Sequence, residues 1–386
     1  MDFDIVIVGA GLVGASFAMA LRGAGLKLAL VETQAPAAAA DSWDSRVYAI
    51  SPGSAAFLDG LGVWKRLDRE RVSAVHEMLV HGDRADALLQ FSAYESGVPE
   101  LAWIVENRRL QSVLWQGLEH QHNLELICPG RCDALQLRDE AVELTLASGT
   151  TLNASLVVAA DGMHSWARQA AGIAVEKMSY GQMGVVANFA CARAHHNTAY
   201  QWFREDGVLA YLPLPGQRIS IVWSTPDAHA AELLSLPADV LCAKVREAGK
   251  DALGKLDLLS APMQFPLARL RAARIAAPRI ALIGDAGHVM HPLAGQGVNL
   301  GFGDASALAR VLLQREPFRH PGDIRLLRRY ERARAEDILA LAWVTDGLQR
   351  LFAAPGGVAA KLRNAGLNLT NALPVVKNLL IRHALG

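Results

Sequence analysis

Asp4-Ile5-Val6-Ile7-Val8 runs directly into Gly9-Ala10-Gly11-Leu12-Val13-Gly14, and the reading of this stretch decides the fold. The apolar run reads as a buried strand. In the turn that follows, the first glycine permits a tight bend, and Gly11 admits a pyrophosphate against the backbone. Gly14 allows close helix–strand packing. A lone GxGxxG is weak evidence. Here it follows a strand and opens an apolar helix that is expected to end near Gly25. A second strand, Lys27-Leu28-Ala29-Leu30-Val31, then ends at Glu32, eighteen residues after Gly14. A carboxylate at that spacing accepts the ribose hydroxyls of an ADP moiety and repels a 2′-phosphate. The pattern is a dinucleotide site, for FAD or NAD.

Two further turns carry the same chemistry. Arg279-Ile280-Ala281-Leu282-Ile283 reads as a strand and leads into Gly284-Asp285-Ala286-Gly287-His288-Val289-Met290-His291-Pro292-Leu293-Ala294-Gly295-Gln296-Gly297-Val298-Asn299-Leu300-Gly301. A helix is expected from Leu300 to Leu313. Helix-start N–H groups carry partial positive charge, and glycines let a ligand approach closely. Asp285 repels a phosphate, so it reads as an acceptor for sugar or ribityl hydroxyls or as an orienter of the backbone. Leu156-Val157-Val158-Ala159-Ala160 is another buried strand. It ends at Asp161-Gly162-Met163-His164-Ser165, with Arg168 one helical turn beyond, and this reads as a second cofactor-facing loop. Arg46, in Asp44-Ser45-Arg46-Val47-Tyr48-Ala49-Ile50-Ser51, lies close enough to Glu32 to be assigned to the cofactor.

The bulk properties exclude other classes. The 386 residues carry 38 basic and 38 acidic side chains, so there is no electrostatic footprint for nucleic acid. Hydrophobic residues make up 52% and mean hydropathy is +0.18. Yet the early apolar run Leu12 to Leu21 is too short to span a bilayer and contains Gly14. Met1-Asp2-Phe3-Asp4 lacks the basic start of a signal peptide. Cys128, Cys132, Cys191 and Cys242 show no CxxC spacing and read as reduced thiols. The expected location is cytoplasmic, with peripheral contact at the inner membrane as an option.

Between about 175 and 265 the chain reads as strands interrupted by a helix from Ala238 to Ala248. With no second GxGxxG there, this block reads as a sheet covering the substrate. Trp202, Tyr211, Pro213 and Trp223 are equally readable as a water-excluding face over the cofactor and as ordinary sheet core. A charged helical stretch from Pro321 to Phe352, including Arg325, Arg328, Arg329, Arg332 and Arg334, reads as a solvated face. The tail Pro374 to Leu385 reads first as a packing or oligomer contact and second as a membrane-surface helix. His288 and His291 lie i, i+3, but no familiar ligand set completes them, and no metal is expected.

Gly9–Gly14 with Glu32, Ala160-Asp161-Gly162 with Ser165 and Arg168, and Gly284-Asp285 resemble, in this order, the single-component FAD-dependent aromatic hydroxylases. His291 to Asp304 is similar to the signature of the ubiquinone-biosynthesis hydroxylases. Arg46 with Ala49-Ile50, Glu106-Asn107 with Leu110-Gln111, and Arg382 to Gly386 add supporting matches. The resemblance implies an α/β (α+β) fold of the para-hydroxybenzoate hydroxylase type. A Rossmann-like FAD domain would comprise 1–73, 100–175 and 274–320. A mostly antiparallel sheet domain would comprise 74–99 and 176–273, and 321–386 would be helical.

By the same resemblance Gly9, Gly11, Leu12, Val13, Gly14 and Glu32 would hold the ADP half of FAD. Arg46, Asn107 and Gln111 would contact its middle, Asp285 would meet the ribityl or pyrophosphate region, and Asp161 would lie in a second cofactor-facing loop. Gly295, Gln296, Gly297, Val298 and Asn299 would face the flavin N1–C2=O edge, and His291 and Pro292 would lie beside the ring. Reduced FAD would react with O₂ to a C4a-hydroperoxide that hydroxylates a polyprenylated phenol, with NAD(P)H or another donor supplying electrons. Other ubiquinone-biosynthesis proteins are the implied partners. A hydroxylase of a soluble small phenol and a flavoprotein scaffold of a lipid-associated complex are the competing readings.

Overall fold

The computed structural model describes residues 2–37, 41–82, 87–290 and 297–353, with side chains through Leu339. His291, Pro292, Gly295, Gln296 and the tail from 374 to 385 therefore lie outside the described residues.

The first sheet is built on five parallel strands. Strand β1 (Phe3–Val8) sits at its centre, between β2 (Leu28–Val31) and the strand Thr151–Ala159. Leu124–Ile127 lies outside β2, and Ile280–Leu282 lies outside Thr151–Ala159. Every side chain of β2 is buried, and β1 is almost as dry. That explains the unbroken apolar runs, because parallel strands are covered on both faces. Numbered by sequence, the parallel strands run 3-2-1-4-5, so the order reverses between β1 and Thr151–Ala159. In such sheets a ligand crevice forms beyond the strand carboxyl ends at the reversal. Gly9 and Asp161 follow those two strands, and Gly284 follows the strand alongside.

The second sheet has nine strands, drawn from Glu77–His81, Leu88–Ser92, the block between Val175 and Ala272, and His288–Val289. It is mostly antiparallel, apart from the parallel pairing of Thr198–Arg204 with Glu77–His81. The stretch Val75 to Val80 is divided between two strands. Ser73–Val75 joins a small sheet with Val47–Ile50 and Ala102–Glu106, and Glu77–His81 joins the large one. A helix at Asp227–Ser235, hidden in the sequence behind a strand, shares one core with Ala238–Ala248.

Alternation along the strands settles the aromatic question. Trp202, Tyr211 and Trp223 are 1–2% exposed and belong to the core beneath those two helices. The Tyr211 hydroxyl donates to the Val245 carbonyl at 2.6 Å. These residues are sheet core and do not face the first domain. The strand faces opposite them carry Ala199, Leu212 and Leu214, which pack against Val47, Ala49 and Ile104 of the small sheet.

Candidate cofactor cleft

Each glycine of the first motif has a steric assignment. Gly9 adopts φ +100°, and a Cβ there would lie 2.6 Å from the Ala160 carbonyl oxygen. At Gly14 a Cβ would lie 2.0 Å from the Gly9 carbonyl oxygen, closing the packing of β1 on helix α1 (Leu12–Ala20). Gly11 differs: a Cβ there meets nothing within 4 Å. Gly11 also caps α1 without any side-chain acceptor, so no side chain competes for the first-turn amides of Leu12 and Val13. An uncapped helix start beside open space is a cradle for an anion.

Glu32 closes the same loop. One carboxylate oxygen accepts the Ala10 N–H at 2.7 Å, and the other accepts Thr33 N–H at 2.7 Å and the Thr33 hydroxyl at 2.9 Å. Gln111, on helix α2 (Asn107–Glu119), donates to the Ala10 carbonyl at 2.6 Å, so it too reaches the glycine loop. Asn107 opens α2 and donates its backbone N–H to Arg46 O at 2.9 Å.

Arg46 lies 5.5 Å from the centre of the Tyr48 ring. The Tyr48 hydroxyl is pushed up by burial, held back in part by Arg46, and pushed further by the Asp285 charge. Asp285 is solvent-exposed but surrounded by protein, the position of a residue on a cleft wall. Desolvation raises its carboxyl, while His288 and Arg46 oppose the rise. Arg46, Tyr48 and Asp285 thus converge on one wall.

Asp161 takes a different posture. One oxygen accepts the Ser165 hydroxyl at 2.5 Å and the other accepts Ala167 N–H at 3.0 Å, which orders the helix Trp166–Ala170. Its backbone lies against Gly9. Arg168 is 3% exposed and donates to the Ala286 carbonyl at 2.9 Å and to the Met163 carbonyl at 3.1 Å, joining the two acidic loops.

Helix α3 (Gly297–Leu313) starts earlier than its apolar pattern indicated. Gly297 and Val298 form its first turn, and Gly297 faces open space. Asn299 acts like a piece of backbone: its Oδ1 accepts Ser51 N–H at 3.0 Å and its Nδ2 donates to Ala49 O at 2.8 Å. Gly301 lets α3 touch α1, since a Cβ there would lie 2.5 Å from a Val13 methyl.

One set of residues escaped the sequence reading. Asp304 has no exposed surface, and its Oδ2 accepts the Gly284 N–H at 2.9 Å and contacts His288 Nε2 at 2.6 Å. Its Oδ1 accepts Arg334 Nε at 2.8 Å. Arg334 is 7% exposed, so it does not belong to the solvated face expected for that helix. The signal was a spacing of four: Leu326, Tyr330, Arg334 and Ile338 place the arginine on an otherwise apolar stripe of helix α4 (Ile324–Ala353). Burial alone would raise the Asp304 carboxyl, but His288 and Arg334 outweigh it and hold it below the usual range. Among the described residues no cluster of three or more His, Cys, Asp or Glu is placed to hold a metal.

The reversed parallel sheet, the uncapped glycine-loop helix and the mostly antiparallel second sheet make a dinucleotide-binding fold, and its known relatives make it a flavin-dependent monooxygenase of the para-hydroxybenzoate hydroxylase type. The FAD binding domain family model matches residues 2–342. Ubiquinone hydroxylase UbiL of Rhodospirillum rubrum is 34% identical over 99% of this chain and 89% of its own length. The 3-demethoxyubiquinol 3-hydroxylase of Escherichia coli is 35% identical over 99% of this chain and 98% of its own. PqsL of Pseudomonas aeruginosa, solved with 2-aminobenzoylacetate, has a TM-score of 0.80 at 25% identity, covering 95% of this chain and 100% of that one. The p-nitrophenol 4-monooxygenase PnpA of Pseudomonas putida shares the fold, with a TM-score of 0.78 at 18% identity and coverage of 99% and 98%. The chain belongs to the FAD-binding-domain family, among its ubiquinone-biosynthesis hydroxylases; FAD is its cofactor and O₂ its co-substrate.

The Glu32 geometry gives a direct expectation. Glu32→Ala weakens FAD binding by roughly 10–100-fold, the size of losing hydrogen bonds to a charged acceptor. The fold survives, because Glu32 is only half-buried. Equilibrium dialysis against FAD checks this, and an unchanged affinity would take the carboxylate off the ribose.

Proposed function

We propose that the protein hydroxylates the aromatic ring of a polyprenylated phenol on the route to ubiquinone. The support is joint: a glycine loop with an open cradle at Gly11, in a chain that matches two ubiquinone-pathway hydroxylases over 99% of its length. Bound FAD supplies the oxygen-activating chemistry. In this reading Gly9, Gly11, Leu12, Val13 and Gly14 receive the pyrophosphate on backbone N–H groups. Glu32 accepts ribose hydroxyls, and Gln111 holds the loop at Ala10. Arg46 and Asp285 meet the middle of the cofactor, with Asn107 positioning Arg46 through its backbone and Asp161 ordering the loop beside Gly9.

The start of α3, at Gly297, Val298 and Asn299, directs backbone N–H groups toward the flavin N1–C2=O edge, where reduction places negative charge. Gly295, Gln296, His291 and Pro292 complete that loop in the proposal. The large sheet covers the ring and excludes water by its face opposite Trp202, Tyr211 and Trp223. We assign 1–73, 100–175 and 274–320 to the FAD domain, 74–99 and 176–273 to the covering domain, and 321–386 to a helical region. A reduced nicotinamide is the proposed electron donor, met at the Asp161–Arg168 loop. The described residues contain no helix long and apolar enough to cross a membrane. We place the approach to a lipid-borne substrate at the membrane periphery, in company with other proteins of the pathway.

The test is genetic. The chain is expressed in bacterial strains that each lack one ubiquinone-ring hydroxylase, and quinone intermediates are profiled by mass spectrometry. Rescue of one strain names the ring carbon, and rescue of several indicates broad specificity. Failure in every strain, with FAD still bound to the purified protein, overturns the proposal.

A further inference from the structure

The turn that carries Asp285 is held from both ends. Arg168 binds the Ala286 carbonyl at 2.9 Å, and Asp304 accepts the Gly284 N–H at 2.9 Å. Gly284 itself sits at φ +59°, a conformation that glycine adopts freely and other residues rarely do, so the turn requires glycine at this position. The second anchor is a carboxylate with no exposed surface. A buried charge persists only when partners replace its water, and the partner for its other oxygen is Arg334, reaching in from α4. The same guanidinium donates to the Leu300 carbonyl at 3.2 Å and pairs with Asp337. One turn earlier on α4, the Tyr330 hydroxyl donates to the Leu282 carbonyl at 2.8 Å, just behind the turn. Gly303 leaves the space for the arginine, since a Cβ there would lie 2.8 Å from Nη2. A helix remote in sequence from the glycine loop therefore grips the Asp285 turn at two points.

We infer that Arg334 and Asp304 are positioning residues for the cofactor: through the Gly284 N–H and His288 they set where Asp285 stands, and so how tightly FAD is held. The inference rests on the proposed placement of FAD against Asp285. Arg334 aligns the Asp304 carboxylate so that Oδ2 remains free to receive both Gly284 and His288. Removing the guanidinium leaves the buried carboxylate to be neutralised or re-solvated, and either change releases the turn.

The experiment is a double-mutant cycle on FAD affinity, measured by flavin fluorescence with purified full-length protein, alongside melting of each apoprotein. Arg334→Met is expected to raise the FAD dissociation constant about tenfold or more, the size of a lost charge-assisted hydrogen bond. In an Asp285→Ala background the same change should cost less than about twofold, within the error of additivity. Arg334→Lys, which keeps a charge but not the fork, should fall between wild type and Arg334→Met. If Arg334→Met does not fold, Gly303→Ala displaces the guanidinium with one methyl group and is read in the same cycle. Equal losses in both backgrounds, or a lowered melting temperature with unchanged FAD affinity, would overturn the inference. An Asp285→Ala protein with wild-type affinity would instead remove FAD from Asp285, overturning the placement and the inference together.

Discussion

Gly11→Arg is expected to give a folded protein that purifies without FAD. A Cβ at Gly11 meets no protein atom within 4 Å, and the residue has φ −62° and ψ −179°, extended backbone that any side chain adopts. The cost to the fold is therefore small: about 0.3–1 kcal/mol for a positive charge at a helix N-terminus, plus the change of cap. The cost to the ligand is large, because the side chain occupies the approach to the first-turn amides. Attraction between the guanidinium and a phosphate does not compensate, since backbone N–H groups work only at contact distance. The flavin-to-protein absorbance ratio and far-UV circular dichroism decide the matter. Stoichiometric flavin in the variant would move the pyrophosphate away from Gly11.

Gly14→Ala, three residues later in the same motif, has the opposite phenotype. Its Cβ would sit 2.0 Å from the Gly9 carbonyl oxygen and 3.0 Å from the Ala160 Cβ. The obstacle is backbone, which cannot rotate aside. Helix α1 must lift from β1, opening a fully buried part of the core, where Ile5, Ile7, Ala15 and Phe17 have no exposed surface. Destabilisation on the order of 3–5 kcal/mol follows from core disruption of this kind. That is a large share of a stability of about 5–15 kcal/mol. Thermal melting of the apoprotein measures it, and a melting temperature within a degree of wild type would contradict the packing. FAD loss in this variant would be secondary to unfolding, unlike the loss in Gly11→Arg.

The contrast shows why the glycine loop was legible in the sequence. A tight turn, a close approach and a close packing are local demands, and each falls on a residue whose neighbours in the chain reveal it. The parallel strands were readable for a related reason: burial on both faces leaves continuous apolar runs. What could not be read was direction. Trp202, Tyr211 and Trp223 alternate along strands with apolar residues on both faces, so sequence alone could not say which face meets the helices and which meets the small sheet. Arg334 was lost among Arg325, Arg328, Arg329 and Arg332, because a run of charges masks the one that turns inward. Asp304 lay inside the signature stretch, yet its partners come from α4 and from the Gly284 turn, a pairing only the tertiary fold creates. Asp161 was legible as part of a turn, but the engagement of its carboxylate by Ser165 and Ala167 was not.

The proposed cleft draws on Gly11, Glu32, Gln111, Asp285 and, behind them, Arg334, so its pieces are spread over some three hundred positions. A chain emerging at about 5–20 residues per second separates Glu32 from Arg334 by roughly 15–60 seconds of synthesis. During that interval β1 and β2 are present, but the strand Thr151–Ala159 and then α4 must still arrive. Contacts between such distant segments form late and slowly. On the proposed placement FAD has no finished site on a nascent chain, and cofactor uptake becomes a marker that α4 has docked. A pulse-labelled chain should acquire flavin only after resistance to protease has spread to α4, which makes the cofactor a reporter of completed folding as well as the means of reaction.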